Sequence, residues 1–127
     1  MAGSTNHQQS QFVNGKVVVS YLDGTTDSLL LVNPINWYPI EQDYYTDGYA
    51  FTTGASKPYR LVLKTGEFLR TFAKHEAIKG FSNYGIEGGA ATVLDMPLNS
   101  SKQLKNIAII TEANEVVIGL LALTLVH

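Results

Sequence analysis

Two runs of β-branched and aliphatic residues, Lys16 to Leu22 (KVVVSYL) and Asp27 to Val32 (DSLLLV), flank the dipeptide Asp23-Gly24. That pair tolerates the positive φ angles of a tight turn, so the two runs are expected to close on each other as an antiparallel hairpin. Asn33-Pro34 ends the second run, because proline donates nothing to a ladder and holds its predecessor extended. The same pattern recurs along the chain. Tyr59 to Lys64 (YRLVLK) alternates Tyr59, Leu61 and Leu63 against Arg60 and Lys64, which predicts a strand with the first set buried and the second mostly wet. Thr65-Gly66 then turns the chain into Glu67 to Phe72 (EFLRTF), a candidate hairpin partner.

Tyr49 to Thr53 and Ala90 to Met96 also have extended character, and Ala73 to Gly80 is the one segment with helical character, too short to matter much. Leu104 to Thr111 (LKNIAIIT) and Glu115 to Val126 (EVVIGLLALTLV) are separated by Glu112-Ala113-Asn114, a turn of hairpin length. The last run is apolar in both alternating sets, Val116, Ile118, Leu120 and Ala122 on one side and Val117, Leu121, Leu123 and Leu125 on the other. A strand covered on both sides has this pattern, as does one beneath a surface that docks on a neighbouring domain. Helix is disfavoured there by Val116, Val117, Ile118 and Thr124, which are β-branched, and by Gly119. Seven to nine short strands joined by hairpin turns indicate an all-β antiparallel β-sandwich.

Composition narrows the function classes. A chain of 127 residues with 45% hydrophobic content can bury one core, so residues 13–127 are expected to form a single domain behind a polar leader or linker at 1–12. The leader lacks the basic start and apolar run of a secretory signal. Net charge is -2 with no basic cluster, which removes nucleic acid as a partner, and no apolar run approaches membrane-spanning length. Without cysteine there is no disulfide frame and no thiolate nucleophile or metal site.

The sharpest functional lead is Asn33 to Phe51 (NPINWYPIEQDYYTDGYAF), which carries the only Trp and four of the seven Tyr beside Glu41, Asp43 and Asp47. Pyranose rings stack on Trp and Tyr while their hydroxyls donate to carboxylates. Trp37, Tyr38, Tyr44, Tyr45 and Tyr49 are therefore candidate stacking platforms for an oligosaccharide or polysaccharide, with Asp43 and Asp47 as hydroxyl acceptors. The competing reading places most of these rings inside the end of a small β core.

Enzymatic constellations are sparse. A glycosidase needs two carboxylates facing across a cleft, for which Asp43, Asp47 and Glu87 are the candidates, but solvated loop carboxylates are the plainer reading of them. No GxSxG elbow occurs, and His7, His75 and His127 do not form a triad or zinc spacing. GIEGGA lacks the spacing of a dinucleotide fingerprint. No cofactor is expected beyond a structural calcium, for which Asp43, Asp47 or Asp95 would be the ligands.

The hairpin VVVSYLDGTTDSLLLVNPINWYPIEQDY, the block GGAATVLDMPLNSSKQLKNIAI and the ending ANEVVIGLLALTLVH resemble the C-terminal β-sandwich domain of large bacterial proteins related to six-hairpin glycosidases, frequent in gut Bacteroidetes. The resemblance covers about nine tenths of the chain. LDMPLNSSKQLKNIAI also resembles the penultimate strands of galactose-binding-like jelly rolls such as carbohydrate-binding modules. Both resemblances imply a polysaccharide-processing setting, periplasmic or secreted, and neither supplies a catalytic residue. The chain is thus expected to be a noncatalytic accessory domain that supports the catalytic domain of a glycoside hydrolase, the alternative being a carbohydrate-binding module that stacks sugars on the Trp37 loop. An independent glycoside hydrolase is the third reading.

Overall fold

The computed structural model describes residues 12–33, 35–44, 56–70, 83–112 and 116–126, with side chains described except at 12, 42–44, 83 and 84. The described residues are all-β, with no helix and eight strands. Strand β1 (Phe12–Tyr21) lies between β2 (Thr26–Asn33) and β8 (Leu104–Thr111). Strand β4 (Arg60–Val62) lies between β5 (Phe68–Leu69) and β7 (Ala90–Thr92), and β3 (Gln42–Tyr44) pairs with β6 (Asn83–Gly85). Every pairing is antiparallel.

The first hairpin forms where the sequence places it. Gly24 sits at φ 86°, its N–H donates to Tyr21 O at 3.1 Å, and Tyr21 N donates to Thr25 O at 2.9 Å. Asp23 Oδ1 accepts from the Thr25 hydroxyl at 2.6 Å and the Thr25 N–H at 2.9 Å, and Lys102 Nζ lies 3.2 Å from Asp23 Oδ2. These Thr25 hydrogen bonds, then the Lys102 charge, favour the ionised carboxylate and lower its pKa from 3.8 to about 2. A group whose folded pKa is depressed stabilises the fold above its unfolded pKa. The contribution of Asp23 is therefore complete above about pH 4 and lost as pH falls from 3.8 through about 2. Urea midpoints measured across that window will fall less steeply in Asp23→Ala than in the parent chain.

At the other end of the turn, the Tyr21 hydroxyl donates to Asp27 Oδ2 at 2.7 Å and accepts from Asn99 N at 2.9 Å. The Asn99 N–H favours phenolate, but the Asp27 hydrogen bond, burial and the Asp27 charge together outweigh it and hold the Tyr21 pKa above its usual 10. Stability from this contact is accordingly present below pH 10 and lost as pH rises through the raised value.

Cross-strand register sets the faces of this sheet. Val17, Val19, Leu29, Leu31, Ile107 and Ile109 share one face, whereas Lys16, Ser20, Ser28 and Asn106 share the other with Val18, Leu30, Ala108 and Ile110. Val19 and Leu31 are buried; Ser28, Leu30, Asn106 and Ala108 are exposed. The register slips between Val13 and Gly15, so Asn14 is the extra residue of a bulge and its side chain is buried. Gly15 follows it because the space above is taken. A β-carbon there would lie 2.5 Å from Ile110 O and 2.6 Å from Ile118 Cδ1. Gly15→Ala forces strand β8 or Ile118 to move and is expected to cost about 1–3 kcal/mol in denaturant unfolding.

Two sequence expectations change. Leu104 to Thr111 pairs with β1, not with Glu115 to Val126, and residues 116–126 form no strand. The pattern around β4 is reversed in phase. Arg60 and Val62 point inward, while Tyr59 and Leu63 are exposed and Leu61 is half-buried. Buried carbonyl acceptors for the Arg60 guanidinium make that reversal possible. The hairpin expected of Glu67 to Phe72 forms, with β5 (Phe68–Leu69) antiparallel to β4, and residues 71 and 72 lie outside the described residues. Tyr49 to Thr53 and Ala73 to Gly80 lie outside the described residues, and β1 starts at Phe12, inside the stretch read as a leader.

Candidate functional site

Residues 36–41, the start of the aromatic loop, are tied down almost residue by residue. Behind Asn33-Pro34 the chain folds back, with Ile35 N and Asn36 N donating to Val32 O at 2.7 and 3.0 Å. The Asn36 side-chain amide then accepts from Val32 N at 2.8 Å and donates to Leu30 O at 2.6 Å, taking up two backbone groups of β2. Trp37 is half-buried and its Nε1 donates to Oδ1 of the buried Asn14 at 3.0 Å. The same oxygen accepts from Asn33 N at 3.3 Å. One side-chain acceptor on β1 thus holds both the end of β2 and the indole.

The next residue belongs to the other sheet. Tyr38 is 4% exposed, its N–H donates to Thr92 Oγ1 at 3.3 Å, and the cations of Arg60 and Lys57 lie 5.3 and 5.9 Å from its ring centroid. Arg60, 1% exposed, donates through Nη2 to Pro39 O at 2.7 Å, Ala90 O at 2.8 Å and Ile40 O at 3.4 Å. Ala90 N and Ile86 N donate to Ile40 O and Glu41 O at 2.6 and 2.7 Å, carrying the strap into the β3–β6 pair. Beneath it Val62, Ile86 and Ala90 form a buried cluster with Leu69 against them. The strap therefore links β1 and β2 to β4 and β7 through side chains aimed inward.

This arrangement places the residues expected to bind sugar. Trp37 and Tyr38 join the strap, and the Tyr38 ring has no face open for stacking. Asp43 and Tyr44 lie on β3 opposite Tyr84 and Asn83, whereas Tyr45, Asp47 and Tyr49 lie outside the described residues. Glu87 is exposed in a turn and its carboxylate is ion-paired with Lys64. Asp95 is exposed, and among the described residues no group of three His, Asp or Glu side chains converges as metal ligands do.

The surface that sequence reasoning missed is the outer face of β5-β4-β7. Leu61 is registered against Phe68 and Ala91, so these three share a face, and alternation adds Tyr59, Leu63, Arg70 and Val93. Tyr59 is 48% exposed and Phe68 59%, with Leu63 and Val93 also exposed. The Arg70 guanidinium lies 4.4 Å from the Tyr59 ring centroid. A contiguous apolar sheet face edged by one arginine is suited to docking. The even spacing of Tyr59, Leu61 and Leu63 was the available signal; only its sense, inward or outward, was hidden.

The chain matches no family model, no curated protein and no solved structure.

Proposed function

We propose that the chain is a noncatalytic accessory domain, a β-sandwich of the galactose-binding-like jelly-roll type, that packs against the catalytic domain of a larger secreted or periplasmic carbohydrate-active protein. The observation carrying this reading is the distribution of aromatic residues. Trp37 and Tyr38 are consumed by internal contacts, while Tyr59, Leu63, Phe68 and Val93 form an uncovered apolar sheet face. The sandwich reading is supported by the inward Val19 and Leu31 of one sheet and the inward Arg60, Val62 and Ala90 of the other, with residues 36–41 strapped between them. Parent type and compartment rest on the sequence resemblance alone.

Side-chain footprinting of the complete parent polypeptide tests the packing role. Labelling of Tyr59, Leu63 and Phe68 will be suppressed in the parent relative to the separate chain, and equal labelling in both would contradict docking of this face.

A second reading is favoured by one specific feature: two exposed rings, Tyr59 and Phe68, share a sheet face with Arg70. Such a face also suits sugar stacking. Saturable glycan binding lost in Phe68→Ala would replace docking by carbohydrate binding.

A further inference from the structure

Strand β8 has β1 on one side and no strand on its other side among the described residues. Its eight residues, Leu104–Thr111, present about 27 Å of edge at the rise of an antiparallel strand. An unpaired edge of that length is a template for another strand. The same chain carries a segment with the opposite deficiency. Residues 116–126 are β-branched and aliphatic, form no strand, and expose Val117 (94%), Leu120, Leu121, Leu123, Leu125 and Val126.

The segment does not occupy the β8 edge of its own chain. Ile118 Cδ1 fills the space directly above Gly15 of β1. Gly15 is registered against Thr111, and Glu112 N donates to Asn14 O at 2.9 Å, so Ile118 remains at the level where β8 has just ended. A hairpin would instead carry residue 118 back along the far side of β8, about two strand spacings, or roughly 10 Å, from β1. Seating Ile118 over the sheet thus separates the segment from the edge it would pair with.

We propose that residues 116–126 act as a donor strand for a second copy of this chain, pairing along the open edge of its β8 while the partner returns the same strand. Both deficiencies are met by one reciprocal, twofold exchange. The area suffices. Each Leu or Val side chain carries roughly 60–120 Å² of apolar surface by its transfer free energy. Val117, Leu121, Leu123 and Leu125 share one face of such a strand, and these four buried by each copy, with the surface they cover, reach the roughly 1,200 Å² at which specific interfaces begin. Gly119 meets no neighbouring atom within 4 Å of a notional β-carbon, leaving the backbone open to a close strand. The proposal does not depend on the β5-β4-β7 face, which lies on other residues.

Sedimentation of the separate chain is expected to give twice the 13.9 kDa monomer mass. In a mixture of isotope-labelled and unlabelled copies, intermolecular contacts will connect residues 116–126 to residues 104–111. Leu121→Pro removes a ladder donor at an exposed position and will return the mass to monomer, with the loss of β-sheet circular dichroism confined to the donated strand and the unfolding of the remaining sheets still cooperative. A monomer at every concentration, 116–126 paired to β8 of its own chain, or a dimer whose intermolecular contacts lie on Tyr59 and Phe68 would each overturn the proposal. The last outcome would leave the apolar sheet face as a self-association surface and so also count against its packing on a parent domain, whereas a monomer leaves that reading intact.

Discussion

Arg60→Met is expected to lower the unfolding free energy by about 3 kcal/mol. Methionine matches the arginine stem in length, so packing is nearly conserved and the loss isolates the guanidinium. Arg60 Nη2 donates to Pro39 O and Ala90 O at 2.7 and 2.8 Å. Hydrogen bonds to a charged group contribute about 1.5–3 kcal/mol each, and buried carbonyls left without a donor add a penalty of similar size. Relief from burying a cation offsets part of the sum. Arg60→Lys keeps a charge but has no planar fork to lie over Tyr38 while reaching both carbonyls, so it will recover only part of the loss. Denaturant titration measures both variants. A change within 0.5 kcal/mol for Arg60→Met, the range of ordinary surface substitutions, would mean that the guanidinium does not hold the strap.

Asn14→Leu is the second large effect, about 2–4 kcal/mol. Leucine fills the volume but withdraws the oxygen that accepts from Trp37 Nε1 and Asn33 N, leaving two donors to be satisfied at a site where Asn14 is buried. Each buried unsatisfied donor costs about 1–3 kcal/mol. A double-mutant cycle with Trp37→Phe separates the indole contribution from the backbone one. Phenylalanine lacks the Nε1–H, so the two losses will be less than additive by about 1 kcal/mol. Strict additivity would place the Asn14 effect wholly on β2.

These residues show where sequence reading stops. The first hairpin was legible because everything that specifies it is local: β-branched runs, Asp23-Gly24 between them, and Pro34 as a stop. The partner of β8 was not, since β1 is some ninety residues away and a closer apolar run stood beyond a turn of hairpin length. Short β3 and β6 carry no apolar alternation and exist through pairing with each other. At β4 the period of two was correctly read and the inward side was not, because a buried arginine becomes intelligible only once the carbonyls of Pro39 and Ala90 are in place. The aromatic loop was recognised as unusual, but loops have no period from which to read side-chain direction. Trp37 and Tyr38 acquire theirs from Asn14, Thr92 and Arg60.

Acid unfolding and the strap variants report on separate parts of the chain. Asp23 and its Thr25 and Lys102 partners act at the tip of the first hairpin, whereas Asn14 and Arg60 act on opposite ends of residues 36–41. Additive effects are expected between the hairpin tip and the strap.

Whether residues 36–41 are a strap inside the fold or Trp37 a platform for sugar is read from Trp37 fluorescence, since the chain has a single Trp. Emission should be blue-shifted in the folded chain, resist a soluble quencher relative to the unfolded chain, and remain unchanged during titration with plant and host polysaccharides and their oligosaccharides. A red-shifted, freely quenched emission that changes saturably with one glycan class would contradict the strap and return Trp37 to the surface as a ligand-binding residue.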